Sequence, residues 1–363
     1  MNKALAICAV ISMLLTGMLS SCNGGGEAPE SSAVYVMTNA IAGNSILVFN
    51  RDASGALEAA GSVSTQGNGS GSSLNPLGSQ GALVLTGSNK WLVAVNAGSN
   101  EISVFAVSAG GLKFTSKTSS LGQFPISLAV SGNLVFVLNR KSTPPNITGF
   151  SMDKNGILTT IPNAVRLIPP GTYSQIGFSP NGKWLVVAGE SNNLLLVYSM
   201  NGNSPSSDPT TVESKGRGPA AFAFDKDDNL LVAEAADNSV SSYSISGNGL
   251  KAITASVGSG QKTPLWIVSS GNYAYTGNLG SENISAFAIS STVSGQLTLA
   301  DSTAATASRP TELAVSSDGK YLYVLDPGAT AIDVFQIGTD GSLKLNGSSS
   351  AFFSISAQGI AAS

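Results

Sequence analysis

The chain has 363 residues, a formal net charge of -3 and only 11% charged residues, so it lacks the basic stripe that nucleic-acid binding requires. Its hydrophobic content of 42% is that of a folded core, and its 41 glycines suit an all-β protein with many turns. It contains no histidine, and its cysteines are Cys8 and Cys22 alone, which excludes imidazole-based triads and zinc sites built from His and Cys.

The N-terminus opens with Met1-Asn2-Lys3 and an apolar run from Ala4 to Leu19. A short positive start before such a run predicts an export signal over residues 1–21, and the run is too short for a comfortable span of about 20 residues. It ends in Leu19-Ser20-Ser21-Cys22, which resembles the lipobox of bacterial lipoproteins. That resemblance implies lipidation at Cys22 and a membrane as partner through the lipid. Asn23 in place of Asp after the cysteine implies sorting to the outer membrane. Residues 22–32, with Asn23-Gly24-Gly25-Gly26, read as a flexible tether.

From Ala33 to residue 363 one pattern recurs. An apolar strand and a polar turn precede a strand in which Ile, Leu or Val stands three positions before an aromatic. The aromatics are Phe49, Phe105, Phe150, Tyr198, Tyr243, Phe287 and Phe335. Their apolar partners are Ile46, Ile102, Ile147, Leu195, Val240, Ile284 and Ile332. Successive aromatics lie about 44 to 56 residues apart, the range of propeller repeats. The last copy divides into four strands: Pro310 to Val315, Tyr321 to Leu325, Ala331 to Ile337, and a fourth entered through Asp340-Gly341-Ser342-Leu343. Its Ser317-Asp318-Gly319-Lys320 is a hairpin turn in which Asp-Gly supplies the positive-φ positions. Four antiparallel strands per unit make a propeller blade. The fold expected is therefore an all-β seven-bladed propeller over residues 33–363. The repeated aromatics are expected to be packing between blades.

The two ends of this region make a closure test. The first copy begins at its second strand, Val34-Tyr35-Val36, and the chain closes on Gln358-Gly359-Ile360-Ala361-Ala362, which looks like a first strand. Pairing the two would close the ring and remove its free edges. On the loop face, where function gathers, the second strands end at Asn39, Asn96, Asn139, Gly189, Glu234, Asn278 and Asp326. Such residues either turn the chain locally or line a ligand pocket. The predicted ligand-binding face comprises Asn39, Asn96, Asn139, Arg140, Glu190, Glu234, Asn278, Arg309 and Asp326, with Arg217 also nearby. Asp225-Lys226-Asp227-Asp228-Asn229 resembles the start of a calcium loop, yet Leu230 and Ala236 stand where that loop needs Gly and Glu. No metal and no cofactor is expected.

The repeat as a whole resembles the lactonase-type seven-bladed propellers, relatives of 6-phosphogluconolactonase and of carboxymuconate-cyclizing enzymes. The phrases carrying the resemblance are Phe178-Ser179-Pro180-Asn181-Gly182-Lys183-Trp184-Leu185 and Val315-Ser316-Ser317-Asp318-Gly319-Lys320-Tyr321-Leu322. The family's enzymes carry Arg-His after a Gly-Pro; here Ala220-Ala221 follow Gly218-Pro219. Where the family has histidines in the preceding blade, this chain has Thr172 and Ser174, and Gly189 replaces the acid closing that strand. A lactonase needs a base for water and cations for the oxyanion. The candidates left are Glu190 and Glu234 as base, with Arg217. The expectation is an exported propeller that binds a small molecule or a protein on its loop face without catalysis. The alternative is a hydrolase of sugar lactones.

Overall fold

Short apolar runs bounded by Gly, Asn and Asp turns leave the chain nothing to build but strands. In the computed structural model, which describes residues 32–350 save 72 and 248, and residues 354–363, every regular element is a strand. The expected leader, Cys22 and the tether up to residue 31 lie outside the described residues. The strands form seven antiparallel sheets, each a blade. The first strands of the blades are Ile360–Ala362 (blade one), Leu83–Leu85, Pro125–Ser131, Tyr173–Phe178, Pro219–Phe224, Pro264–Ser270 and Glu312–Val315. Each touches the first strands of its neighbours, so together they wall a central channel.

The repeat pattern has a direct structural cause. All seven aromatics are buried, and their seven apolar partners are completely so. In blades one, two, five, six and seven the register between third and fourth strands shifts beside the aromatic, at Phe49, Phe105, Tyr243, Phe287 and Phe335. A bulge there increases the local twist a blade needs to pack against its neighbour. Burying one such side chain fully is worth about 1.5–3 kcal/mol. Blades three and four depart from the simple pattern. The fourth-strand position in blade three is shared by Leu158–Thr160 and Arg166–Leu167, and in blade four by Ser204–Pro205 and Thr210–Glu213. Pro162, Pro205 and Pro209 in these stretches lack the N–H that a continuous ladder would use.

Ring closure follows the sequence expectation. Val34, Tyr35 and Val36 pair with Ala362, Ala361 and Ile360. The clasp extends on either side: Met37 N donates to Gly359 O at 2.9 Å, and Ala33 N to Ser363 Oγ at 2.8 Å.

The channel is filled by the chain itself. The segment from Asn75 to Gly81, between blades one and two, bonds to the first strands of all the other blades and to the closing segment. Gln80 carries most of this. Its Oε1 accepts from Ile267 N at 3.0 Å and its Nε2 donates to Ile267 O at 2.9 Å, both in blade six. Its carbonyl accepts from Ser127 Oγ of blade three at 2.6 Å, and its N–H donates to Ser174 O of blade four at 3.3 Å. Ser79 Oγ donates to Ile126 O at 2.8 Å, and Ser79 O accepts from Trp266 Nε1 at 3.2 Å. Gly81 N donates to Glu312 Oε1 of blade seven at 2.9 Å. Gln358, completely buried, accepts from Leu77 N at 2.8 Å and donates to Asn75 Oδ1 and Ser79 O, each at 2.8 Å.

The closing segment therefore clasps blade one and holds this plug at the same time. Removing residues 356–363 should cost about 5 kcal/mol, from lost burial and several buried groups left unpaired. The expected fall in thermal midpoint is about 10 °C. An unchanged midpoint in a calorimetric scan would refute the coupling.

Candidate functional site

The strand-end residues sit differently from the polar rim expected of them. Asn39, Asn96, Asn139, Glu234, Asn278 and Asp326 are all completely buried. They are pegs that fasten loops. Asn96 Nδ2 donates to Ser103 Oγ at 2.8 Å, Asn278 Nδ2 to Ser285 Oγ at 2.8 Å, and Asn139 Nδ2 to Asn146 Oδ1 at 2.9 Å. Asn39 Oδ1 accepts from Ser70 N at 3.0 Å. Asp326 accepts from the backbone N–H groups of Ser308, Arg309 and Ala329. Glycines let the entering chain lie directly over three pegs. A Cβ on Gly67, Gly122 or Gly216 would come within 2.5, 2.4 and 2.5 Å of Asn96, Asn139 and Glu234.

Glu234 is the acidic version of the same peg. Ser214 Oγ and Ser241 Oγ each donate to its Oε1 at 2.6 Å, and burial pushes its carboxyl up from the ordinary range, with the two hydroxyls pulling the other way. It is enclosed and far from acting on a ligand. Arg217 is also separate: exposed on the surface, it pairs with Asp237 at 2.7 Å. Arg309 likewise pairs with Glu282, at 3.8 Å. The trio Glu190, Glu234 and Arg217 is thus not assembled into one site. The acidic run at Asp225 is a tight turn, where Asp225 Oδ1 accepts from Asp227 N and Asn229 N, each at 2.9 Å.

Two predicted residues do meet. Arg140 and Glu190, each the first residue past its strand end, line a cleft of about 300 Å³ at the channel mouth. Asn75, Gly78 and Ser79 of the plug line it too, with Ala220, Thr263, Leu265 and Trp266. Arg140 is half-buried, and its guanidinium donates to Gly78 O at 3.3 Å. Burial lowers its proton affinity, and Glu190 opposes that shift. Burial raises the proton affinity of Glu190, and Arg140 opposes that. The pair thus offers one cation and one acceptor in a partly desolvated place, where each interacts with a ligand more strongly than in water.

The family model described as lactonase, seven-bladed β-propeller, matches residues 28–172, 168–252 and 254–352. The chain belongs to this family. Solved structures agree on the fold. A protein of Bacteroides fragilis provisionally assigned as a 6-phosphogluconolactonase is 18% identical, with a TM-score of 0.70 over 90% of this chain and 97% of its own. The periplasmic gluconolactonase of Pseudomonas aeruginosa is 17% identical, with a TM-score of 0.68 over 91% and 98%. A protein of Lactobacillus plantarum is 14% identical, with a TM-score of 0.72 over 91% and 98%. Among curated proteins there is no match. At these identities the lactonase-family propellers share architecture, and the site must be argued from this chain's own residues.

The plug and its anchors are what the sequence reading missed. Glu312 is the least expected of them. Its carboxyl is enclosed, with Oε1 accepting from Gly81 N at 2.9 Å and Oε2 from Gly359 N at 2.7 Å. It makes no ion pair among the described residues. Desolvation pushes its pKa up from 4.5 to about 8, despite the two N–H groups. Between those values the folded protein holds a proton that the unfolded chain has released. Stability from this group is therefore fully present below about pH 4.5 and is lost as pH rises toward 8. The slope is at most about 1.4 kcal/mol per pH unit. Denaturant unfolding from pH 5 to pH 8.5 should show falling stability in the native chain and a flatter profile in Glu312→Gln. The variant should also be less stable at pH 5, because its amide NH2 would face one of the two N–H groups, where the protonated carboxyl presents a hydroxyl oxygen that can still accept.

Proposed function

We propose that this lactonase-family propeller is an exported binding protein whose channel-mouth cleft takes a small polyhydroxylated acid. The observation that carries this is the convergence of Arg140 and Glu190 over a plugged channel. The plug makes the cleft a dead end, so a ligand is held at the mouth and does not pass through. Arg140 would pair with the ligand's carboxylate, Glu190 would accept from its hydroxyls, and Leu265 and Trp266 supply the apolar wall. The cleft volume lies at the small end of ligand pockets, which favours a compact ligand. Sugar acids and their lactones fit this chemistry, and relatives named for gluconolactone hydrolysis support that class.

A second reading keeps catalysis. The desolvation-raised Glu190 beside Arg140 has the character of a general base next to an oxyanion-stabilising cation. Titration calorimetry with D-gluconate, together with proton release from its lactone, separates the two. Binding should weaken about tenfold or more in Arg140→Gln, the worth of a charge-assisted bond. Lactone hydrolysis above the spontaneous rate, abolished in Glu190→Gln, would decide for the hydrolase. No heat with either compound would overturn both.

Export and anchoring are part of the proposal, supported by the lipobox-like Leu19-Ser20-Ser21-Cys22 and by a relative described as periplasmic. Mass spectrometry of the mature protein should find a lipidated Cys22 as first residue. An intact leader or an unmodified cysteine would sink this part.

A further inference from the structure

Beside the mouth cleft lies a second groove of about 300 Å³, lined by Ile41, Gly69, Gly98, Asn100, Phe124 and Lys141 among others. The two spaces share a wall. Arg140 lines the first, and its guanidinium lies over the Phe124 ring, 5.6 Å from the centroid. Lys141 brings its Nζ to 3.7 Å from the same centroid. Arg217 and Arg309 are each paired with a carboxylate, whereas neither Arg140 nor Lys141 has one within ion-pair distance among the described residues. With Arg140 opposed electrostatically by Glu190 in the cleft, Lys141, packed on the half-buried Phe124 ring, is the cation that faces the groove.

The backbone supplies an independent observation. Phe124 is held at φ +59°, in the left-handed region. The scaffold imposes that conformation: Asn100 Oδ1 accepts from Phe124 N at 2.7 Å, just as Asn193 Oδ1 accepts from Gly218 N at 3.1 Å two blades on. Gly218, also before a proline, meets the demand at no steric cost, whereas a bulky side chain pays about 1–2 kcal/mol. Thr263, before Pro264, holds the same conformation at φ +57° with Asn238 Oδ1 accepting from its N–H at 2.8 Å, so the turn belongs to the scaffold, and at Phe124 it sets the ring on the rim of the groove. The floor, too, is bare backbone. A Cβ on Gly98 would come within 2.1 Å of Gly69 O, and one on Gly69 within 2.1 Å of the Asn39 carbonyl carbon.

Resting on the sugar-acid reading of the mouth cleft, we propose that this groove is a second anion subsite, so that the site takes a ligand acidic at both ends. One carboxylate meets Arg140 in the cleft, and the other meets the Lys141 ammonium, which the Phe124 ring holds in place. The ligand class is then a polyhydroxylated dicarboxylate, distinguished from a monocarboxylate by what lies beyond Arg140.

Calorimetric titration of the soluble domain with D-glucarate and D-gluconate tests this, since the two share a carbon chain and differ in the second carboxylate. Glucarate should bind about tenfold more tightly at low salt, and the ratio of the two affinities should fall to about one in Lys141→Ala. Phe124→Gly, which removes the ring that holds Lys141 but keeps the left-handed turn, should lower the same ratio in a protein that still unfolds cooperatively. Equal affinities in the native protein, or a ratio that survives Lys141→Ala, would overturn the second subsite alone. If neither acid binds, the mouth-cleft reading falls with it.

Discussion

A ring of seven sheets leaves a space at its centre that no single blade can fill, and the backbone groups of the innermost strands border that space. The constraint on this molecule is that those groups need partners. The chain answers with its own Asn75–Gly81 segment. Gln80 does for Ile267 what a neighbouring strand would do, giving one acceptor and one donor to the same residue. Ser79 serves the first strand of blade three through Ile126 O, and Gly81 N is bonded by the Glu312 carboxyl of blade seven. The blades are thereby tied to a common hub as well as to one another, and the hub is tied to the closing segment through Gln358 and Glu312.

The candidate site is a consequence of that hub. With the channel occupied, the mouth becomes a shallow cleft whose base is plug backbone and whose sides are the first residues beyond two strand ends. Arg140 is steadied by Gly78 O of the plug, so the position of the cation depends on the same segment that closes the hole. Loops pinned by buried Asn, Asp and Glu pegs keep this geometry rigid without contributing their own side chains to the surface.

The periodic part of this design is legible in the sequence because period reports packing. An Ile, Leu or Val three residues before an aromatic, repeated in each copy, can only be a strand that buries both, and Phe49 to Phe335 all do so. Closure was legible because an unpaired first strand and an unpaired last one leave a single solution. The plug was not, since an irregular segment gains its order from partners hundreds of residues away. One signal existed: the interval from Phe49 to Phe105 is the widest of the series and contains the insertion. The pegs also had a signature. Asn96, Asn139, Glu234 and Asn278 are each followed seven residues later by Ser103, Asn146, Ser241 and Ser285, the partners of their buried bonds. Arg140 and Glu190 were identified correctly as neighbours of strand ends, but the residues beside them in sequence turned inward, a distinction that strand position alone does not carry.

A hub that bonds to five blades and to the closing segment also changes what kind of repeat this is. Propeller units are in principle copies that can be gained or lost, because each contacts only its neighbours. Here the central segment has the span and the donor pattern for one ring size. A copy added or deleted would alter the channel and strand the carbonyls and N–H groups that Gln80, Ser79 and Gly81 now satisfy. The blade count is therefore fixed by a stretch of chain that belongs to no blade, and divergence in such a lineage is channelled into the loops.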